Sequence, residues 1–108
     1  MWFDPAQCLI GGQWRGTDET LALVDPSDGT ELAQIARGGS QEIDAAVAAA
    51  EAALDGEWGR MSALERGRIL TRLGQLVLER VEDLAELEAR DVGKPLSQGR
   101  ADAIALAR

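Results

Sequence analysis

The feature that most constrains the fold of this chain is a change in hydrophobic spacing at Gly38-Gly39-Ser40. Before this point, short apolar segments alternate with turns that contain glycine and proline, a pattern typical of short strands. After it, apolar residues recur every three or four positions, which is the spacing of one helical face. The chain is therefore predicted to be an α+β fragment in which β-hairpin ribbons are followed by several helices.

Two ribbons are predicted in the N-terminal part. In the first, Cys8-Leu9-Ile10 and Gln13-Trp14-Arg15 flank Gly11-Gly12, a pair suited to the positive φ angles of a hairpin turn. In the second, two strands flank the turn Asp25-Pro26-Ser27-Asp28-Gly29-Thr30. Ribbons this short need another element to lie against.

The helical part contains several start and stop signals. Ser40 is the expected N-cap of a first helix, which ends near Asp55-Gly56. Ser62 and Glu65 have the spacing of a capping box. The apolar positions of the first helix and of the next segment are Ile43, Val47, Ala50 and Leu54, and then Ile69, Leu70, Leu73, Leu76, Val77 and Leu84.

The end of the helical part indicates that the pattern is incomplete. A break or bend is expected at Val81-Glu82-Asp83, and Gly93-Lys94-Pro95 is a stop. The last helix begins at Leu96 or Ser97 and has no terminating signal before Arg108. The sequence therefore ends inside a helical pattern, which is expected either of a natural domain with a frayed last helix or of a chain cut within a longer one.

Composition excludes several classes of partner. The net charge of -8 and the pI near 4.4 argue against binding to nucleic acid. No basic run would hold an anionic membrane, no apolar run would span one, and Met1–Pro5 does not begin a secretory signal. With a single cysteine the chain forms no internal disulfide. We expect a cytoplasmic protein with no nucleic-acid or membrane partner.

The residues give little support for catalysis by this chain alone. It has no histidine, the usual general base, so Cys8 in its apolar strand is expected to be structural. Gly11-Gly12 and Gly38-Gly39 lack the spacing of a dinucleotide fingerprint. Lys94 is not followed by serine or threonine, so it is not a P-loop lysine. Trp2, Trp14 and Trp58 are expected to anchor packing.

Five short motifs, in order, resemble the start of the aldehyde dehydrogenase family. They are Leu9-Ile10-Gly11-Gly12-Gln13-Trp14, Val24 to Thr30, Glu42 to Val47 with Ala49-Ala50, Trp58 with Arg66 to Leu70, and Glu88 with Asp91 and Gly93-Lys94-Pro95. Asp25 stands where the family pattern more often has asparagine. Each motif is short, but all five occur in register from about Cys8 onward.

The resemblance implies an NAD(P)-dependent oxidoreductase that converts an aldehyde to a carboxylic acid through a cysteine thioester. It implies an α/β parent with a Rossmann-like NAD(P)-binding domain, of which residues 1–108 are the incomplete N-terminal part. The parent is implied to assemble as a homodimer or homotetramer. The catalytic cysteine, the glutamate and the cofactor-binding glycines lie further along the family sequence. No catalytic or cofactor-binding residue is therefore assigned in this chain.

One family site falls within the chain. Some members bind a monovalent cation through backbone carbonyls, and the matching positions are Leu23, Val24 and Asp91. Ordinary loop contacts explain these residues equally well, because carbonyl ligands leave little trace in a sequence.

An alternative of another class remains open. The leucine-bearing segment from Ala63 to Leu87 is also typical of a free-standing helical interaction module without catalysis. The continuation of the reading frame would distinguish these hypotheses.

Overall fold

The computed structural model describes residues 3–108. Within them, the element order is β1 (Gln7–Ile10), β2 (Gln13–Gly16), β3 (Glu19–Val24), β4 (Glu31–Arg37), α1 (Ser40–Asp55), α2 (Glu57–Arg60), α3 (Ala63–Leu78), α4 (Val81–Val92) and α5 (Leu96–Leu106). This order confirms the predicted ribbons followed by helices.

The chain divides into two compact units. One consists of the residues up to Leu23 together with Ala33–Arg60, and the other consists of Val24–Leu32 together with Met61–Arg108. The turn between β3 and β4 therefore belongs to the unit that contains α3, α4 and α5, although most of both strands belongs to the other unit.

The first ribbon is an antiparallel hairpin of β1 and β2. Leu9 pairs with Trp14 and Ile10 with Gln13 across the two strands. Gly11 and Gly12 adopt φ angles of 59° and 77°, so the two-glycine turn is confirmed. Ile10 is buried, with 8% of its surface exposed, because its side of the hairpin faces α1.

The hairpin lies closely against α1. A Cβ placed on Gly11 would lie 3.6 Å from the Cβ of Ala49, so the turn contacts the small residues of that helix. Trp14, by contrast, is 52% exposed, and its ring stacks on Phe3 with centroids 6.4 Å apart. Trp14 therefore packs on Phe3 at the surface and not in a core; Trp58 is half-buried and Trp2 lies outside the described residues.

Helix α1 begins one residue away from the predicted cap. Gly39, not Ser40, is the N-cap, because Ser40 already has helical geometry. The Glu42 carboxylate reaches back and accepts a hydrogen bond of 2.7 Å from the Gly39 N–H. The helix ends at Asp55 as predicted, but Ile43, Val47 and Leu54 on its expected packing face are 53% to 67% exposed in this chain.

Helices α3 and α4 begin and end as the sequence signals indicate. Ser62 Oγ accepts a hydrogen bond from the Glu65 N–H, and Glu65 Oε2 accepts one from the Ser62 N–H, which confirms the capping box. The interruption falls at Glu79 and Arg80, just before the predicted position. Gly93 ends α4 with a φ of 72°, and its N–H donates to the Ala89 carbonyl.

The second unit is held together mainly by the pairing of α4 with α5. Ala85 is fully buried, and Ala103 and Gly99 are also buried. Arg100 Nε donates to both carboxylate oxygens of Glu82 at 2.8 and 2.9 Å. Small residues at the crossing allow the two helices to approach closely, and the ion pair fixes their register.

Candidate functional site

The three residues predicted to supply carbonyl ligands lie at two element ends. Leu23 and Val24 end β3, and Asp91 lies in the last turn of α4. Val24 is 48% exposed and Asp91 is exposed, whereas Leu23 is half-buried. Val24 and Asp91 belong to the same compact unit.

The turn that follows Val24 is built around the carboxylate of Asp25. Asp25 Oδ1 accepts hydrogen bonds from the Ser27 hydroxyl at 2.6 Å and from the Ser27 N–H at 2.9 Å. The Asp25 N–H donates to the Thr30 carbonyl, and the Gly29 N–H donates to the Asp25 carbonyl. Gly29 has a φ of 75°, which favours glycine. Asp25 therefore fixes the turn through both its side chain and its backbone.

The electrostatic environment of Asp25 favours the ionised form. The hydrogen bonds from the Ser27 hydroxyl and backbone hold the pKa of Asp25 below its usual value, with a smaller contribution from the Arg90 charge. Burial acts in the opposite direction. With 8% of its surface exposed, Asp25 is the only charged residue among residues 3–108 that is buried.

The turn lies against the C-terminal end of α4. Asp25 Oδ2 is 3.7 Å from Arg90 Nε. A Cβ on Gly93 would lie 3.2 Å from Pro26 Cγ, so only glycine allows this approach without a shift. The residues on both sides of Asp91 thus contact the Asp25-Pro26 turn, which places the two predicted segments next to each other.

The donor chemistry here suits a hard cation of low charge. The last carbonyls of a helix have no partner within the helix and carry a partial negative charge. The residues 3–108 contain no cluster of three or more His, Cys, Asp or Glu side chains able to hold a metal ion. The backbone oxygens of Leu23, Val24 and Asp91 are the ligands that the family resemblance implies, and the binding of a cation by them stays a prediction.

A depression lies at the start of α1. It is lined by Asp18, Glu19, Arg37, Gly38, Gly39, Ser40, Gln41 and Glu42. Arg37 pairs with Glu19 at 3.2 Å, and Glu42 occupies the Gly39 N–H. The Gly39 amide is therefore already bound by a carboxylate and is not available to donate to a phosphate.

Cys8 lies in β1 with a half-buried side chain. Its Sγ would be 3.8 Å from a Cβ on Gly38, which places the thiol beside a loop. Residues 1–108 contain no histidine, so no imidazole of this sequence lies beside the thiol. The structural role of Cys8 stays a prediction.

Several ion pairs could not be read from the sequence. Lys94 Nζ donates to Glu88 and, at 2.7 Å, to Asp102 Oδ2; Asp102 and then Glu88 raise the pKa of Lys94 above its usual value. Arg90 and Arg100 likewise pair with residues 65 and 18 positions away. A sequence indicates ion pairs only where the two residues are three or four positions apart on a helix. The pairs of Lys94, Arg90 and Arg100 join residues further apart and depend on the tertiary fold.

No helix within residues 3–108 combines the length and the apolar character that crossing a bilayer requires.

Residues 14–108 match the model of the aldehyde dehydrogenase family. The mitochondrial 10-formyltetrahydrofolate dehydrogenase of Mus musculus is 46% identical over 92 residues, which cover 82% of this chain and 10% of that protein.

Solved structures share this arrangement of ribbons and helices. A Burkholderia cenocepacia protein assigned as an aldehyde dehydrogenase has a TM-score of 0.89 and 55% identity, covering 93% of this chain and 22% of that one. A point mutant of Staphylococcus aureus betaine aldehyde dehydrogenase in complex with NAD+ has a TM-score of 0.84 and 28% identity, covering 93% and 20%. This chain thus spans about a tenth to a fifth of the length of these relatives. The chain belongs to the aldehyde dehydrogenase family.

Proposed function

We propose that this chain is the N-terminal portion of an NAD(P)-dependent enzyme that oxidises an aldehyde to a carboxylic acid through a cysteine thioester. The observation that carries the proposal is the agreement of fold and sequence over the same residues: a TM-score of 0.89 with 55% identity across 93% of the chain. Fold alone would not imply function, but the family match over residues 14–108 adds the sequence.

Within this proposal, residues 1–108 are an outer part of the NAD(P)-binding domain and supply no catalytic group. Two features of the described residues support this assignment. Cys8 has no histidine to activate it, and the glycines at the start of α1 face carboxylates. The nicotinamide cofactor accepts hydride when bound to the parent enzyme, and the NAD+ complex of the Staphylococcus aureus relative supports NAD or NADP as that cofactor.

A monovalent cation held by the carbonyls of Leu23, Val24 and Asp91 is the second part of the proposal. Its support is the apposition of the Asp25-Pro26 turn with the end of α4 through Arg90 and Gly93. Carbonyl oxygens are ligands that suit a hard cation of this kind.

The exposed apolar residues of α3 would be covered in the parent rather than by a separate partner. Ile69, Leu73 and Leu76 are 45%, 55% and 43% exposed in this chain. This chain covers only 10% and 20% of two of its relatives, so the rest of the parent polypeptide is the nearest source of a covering surface.

We further propose that the parent is a cytoplasmic homodimer or homotetramer that binds an aldehyde and binds neither nucleic acid nor membrane.

The test is an activity assay on the longest reading frame that contains this sequence. The purified protein is mixed with NAD+ or NADP+ and a panel of aldehydes, and the absorbance of the reduced nicotinamide is followed. We expect aldehyde-dependent reduction and release of the carboxylic acid. A folded product that reduces neither cofactor with any aldehyde would contradict the proposal.

A further inference from the structure

Asp25 is unusual in this chain because a charged side chain is removed from water. Its side chain is 11% exposed, whereas that of its partner Arg90 is 54% exposed. Burying a carboxylate is costly unless it is paired and hydrogen-bonded. The pair is therefore asymmetric: the carboxylate depends on the guanidinium far more than the guanidinium depends on the carboxylate.

The two oxygens of this carboxylate have separate partners. Oδ1 accepts both hydrogen bonds from Ser27, inside the turn itself. Oδ2 faces Arg90 Nε at 3.7 Å, on α4. Loss of Ser27 would weaken the turn locally, but loss of Arg90 would remove the cation that balances the buried charge.

The charge pair stands beside a steric contact of the same two segments. Pro26 meets Gly93 at the end of α4, where the φ of 72° requires glycine. Pro26 and Gly93 determine how closely the segments approach, but they carry no charge. The opposite charges that meet between the two segments are those of Asp25 and Arg90.

We propose that Asp25 and Arg90 form a matched charge pair that fastens the turn between β3 and β4 to the C-terminal end of α4. Asp25 is stabilising only while Arg90 is present. Without Arg90, the buried carboxylate opposes the closed arrangement of the two segments, and a neutral residue at position 25 is then better than aspartate.

This inference predicts a reversal of sign in a double-mutant cycle. Arg90→Met keeps the length of the apolar stem and removes the charge. Asp25→Asn keeps an oxygen that can accept the bonds from Ser27. Asp25→Asn is expected to lower stability when Arg90 is present and to raise it when residue 90 is methionine. Additive effects are expected only for residues that do not interact.

The experiment uses the whole 108-residue chain and its three variants. Helix content is measured by circular dichroism in a series of solutions that runs from high trimethylamine N-oxide, through plain buffer, to high urea. Trimethylamine N-oxide strengthens the burial of apolar surface, and urea weakens it. We expect Arg90→Met to shift the midpoint of the folding transition toward trimethylamine N-oxide. Adding Asp25→Asn to Arg90→Met is expected to shift the midpoint at least halfway back to the wild-type value. The control pair is Arg72 and Glu79, 3.4 Å apart, with side chains 59% and 60% exposed; for Arg72→Met and Glu79→Gln, near-additive effects are expected.

A second readout reports on the turn itself. The Gly29 N–H donates to the Asp25 carbonyl, so its exchange with solvent should accelerate in Arg90→Met and slow again in the double variant. Equal effects of Asp25→Asn in both backgrounds would overturn the proposal. The proposal would also be overturned if Arg90→Met left the midpoint unaltered, or if the wild-type chain showed no transition on this scale. The same holds if Arg90→Met unfolds the chain and the addition of Asp25→Asn does not restore the fold.

Discussion

Gly99 of α5 lies directly against Ala85 of α4. A Cβ on Gly99 would come within 3.1 Å of both the Cα and the carbonyl oxygen of Ala85, whose own surface is fully buried. Backbone atoms, unlike the end of a flexible side chain, cannot give way cheaply at such a distance. A larger residue at this crossing would therefore require the two helices to move apart by a few tenths of an ångström.

Gly99→Ala is accordingly expected to destabilise the chain by about 1–3 kcal/mol through overpacking. The matched control is Gly67→Ala in α3, where a Cβ would meet nothing within 4 Å. That substitution should stabilise its helix by roughly 0.5–1 kcal/mol because alanine is the better helix former. Because the chain is expected to be marginally folded, the midpoints of both variants are measured on the scale from trimethylamine N-oxide to urea. Equal shifts would show that the helix crossing is not tight.

The capping box of α3 predicts a dependence on pH. Hydrogen bonds from the Ser62 hydroxyl and then its N–H lower the pKa of Glu65. Because the pKa of Glu65 is lower in the folded chain, its carboxylate stabilises the fold fully above the pKa that it has in the unfolded chain. This stabilisation is lost as the pH falls through the pKa of the folded chain. Helix content measured from neutral to acid pH should show this loss in the wild-type chain.

Glu65→Gln is the control for that titration, since glutamine can occupy the same position without ionising. The part of the acid transition that comes from Glu65 should be absent in this variant. Ser62→Ala should cost about 1 kcal/mol of helix stability at neutral pH. An acid transition that is identical in wild type and Glu65→Gln would contradict the assignment.

Lys94 should contribute to the pairing of α4 with α5. Because Asp102 and Glu88 raise its pKa, its contribution is present below the pKa of the unfolded chain and is lost as the pH rises through the folded value. Lys94→Met is expected to lower the denaturant midpoint, whereas Arg68→Met on exposed α3 should leave it nearly unchanged. Added salt should weaken the wild-type contribution; a midpoint that does not change in Lys94→Met would contradict this role.

The proposed cation site predicts a specific response to sodium or potassium. At equal ionic strength, either ion should raise the unfolding midpoint above that measured in choline chloride, by linkage to binding. Gly93→Ala should reduce the difference, because its Cβ would crowd Pro26 at 3.2 Å. A midpoint that is the same in all three salts would remove Leu23, Val24 and Asp91 as ligands.

The isolated chain is expected to oxidise no aldehyde and to be only marginally folded. The buried apolar residues among those described are Ile10, Ala85 and Ala103, a small set for a chain that pays about 1–2 kcal/mol of backbone entropy per ordered residue. Thermal unfolding by circular dichroism and an NAD-dependent assay test both statements. A sharp monomeric transition would contradict the first, and turnover above background would contradict the second.

Local signals predicted much of this fold because they act over a few residues. Gly11-Gly12 specifies its turn by positive φ, Ser62 and Glu65 specify a helix start, and Gly93 specifies a helix end. The cap of α1 was displaced by one residue because the Glu42 carboxylate, rather than the Ser40 hydroxyl, satisfies the first amide. Alternatives that differ by one residue have similar local energies, so sequence rules seldom separate them.

Non-local features could not be predicted in the same way. Nothing in the sequence indicates that Arg90 meets Asp25, 65 positions earlier, or that Gly99 meets Ala85. The candidate ligands Leu23, Val24 and Asp91 came from a family resemblance, because a backbone carbonyl is present at every residue. The faces of α1 and α3 were correctly identified as apolar, but their periodicity does not say what covers them.

The position of Cys8 beside Gly38 has a practical consequence for kinetics. The chain has a single thiol, and that thiol is half-buried between β1 and the loop that precedes α1. The thiol becomes fully accessible to a thiol-modifying reagent only when this junction opens. Conditions that open the junction between β1 and the loop before α1 should therefore raise the rate of modification, without any label having to be introduced.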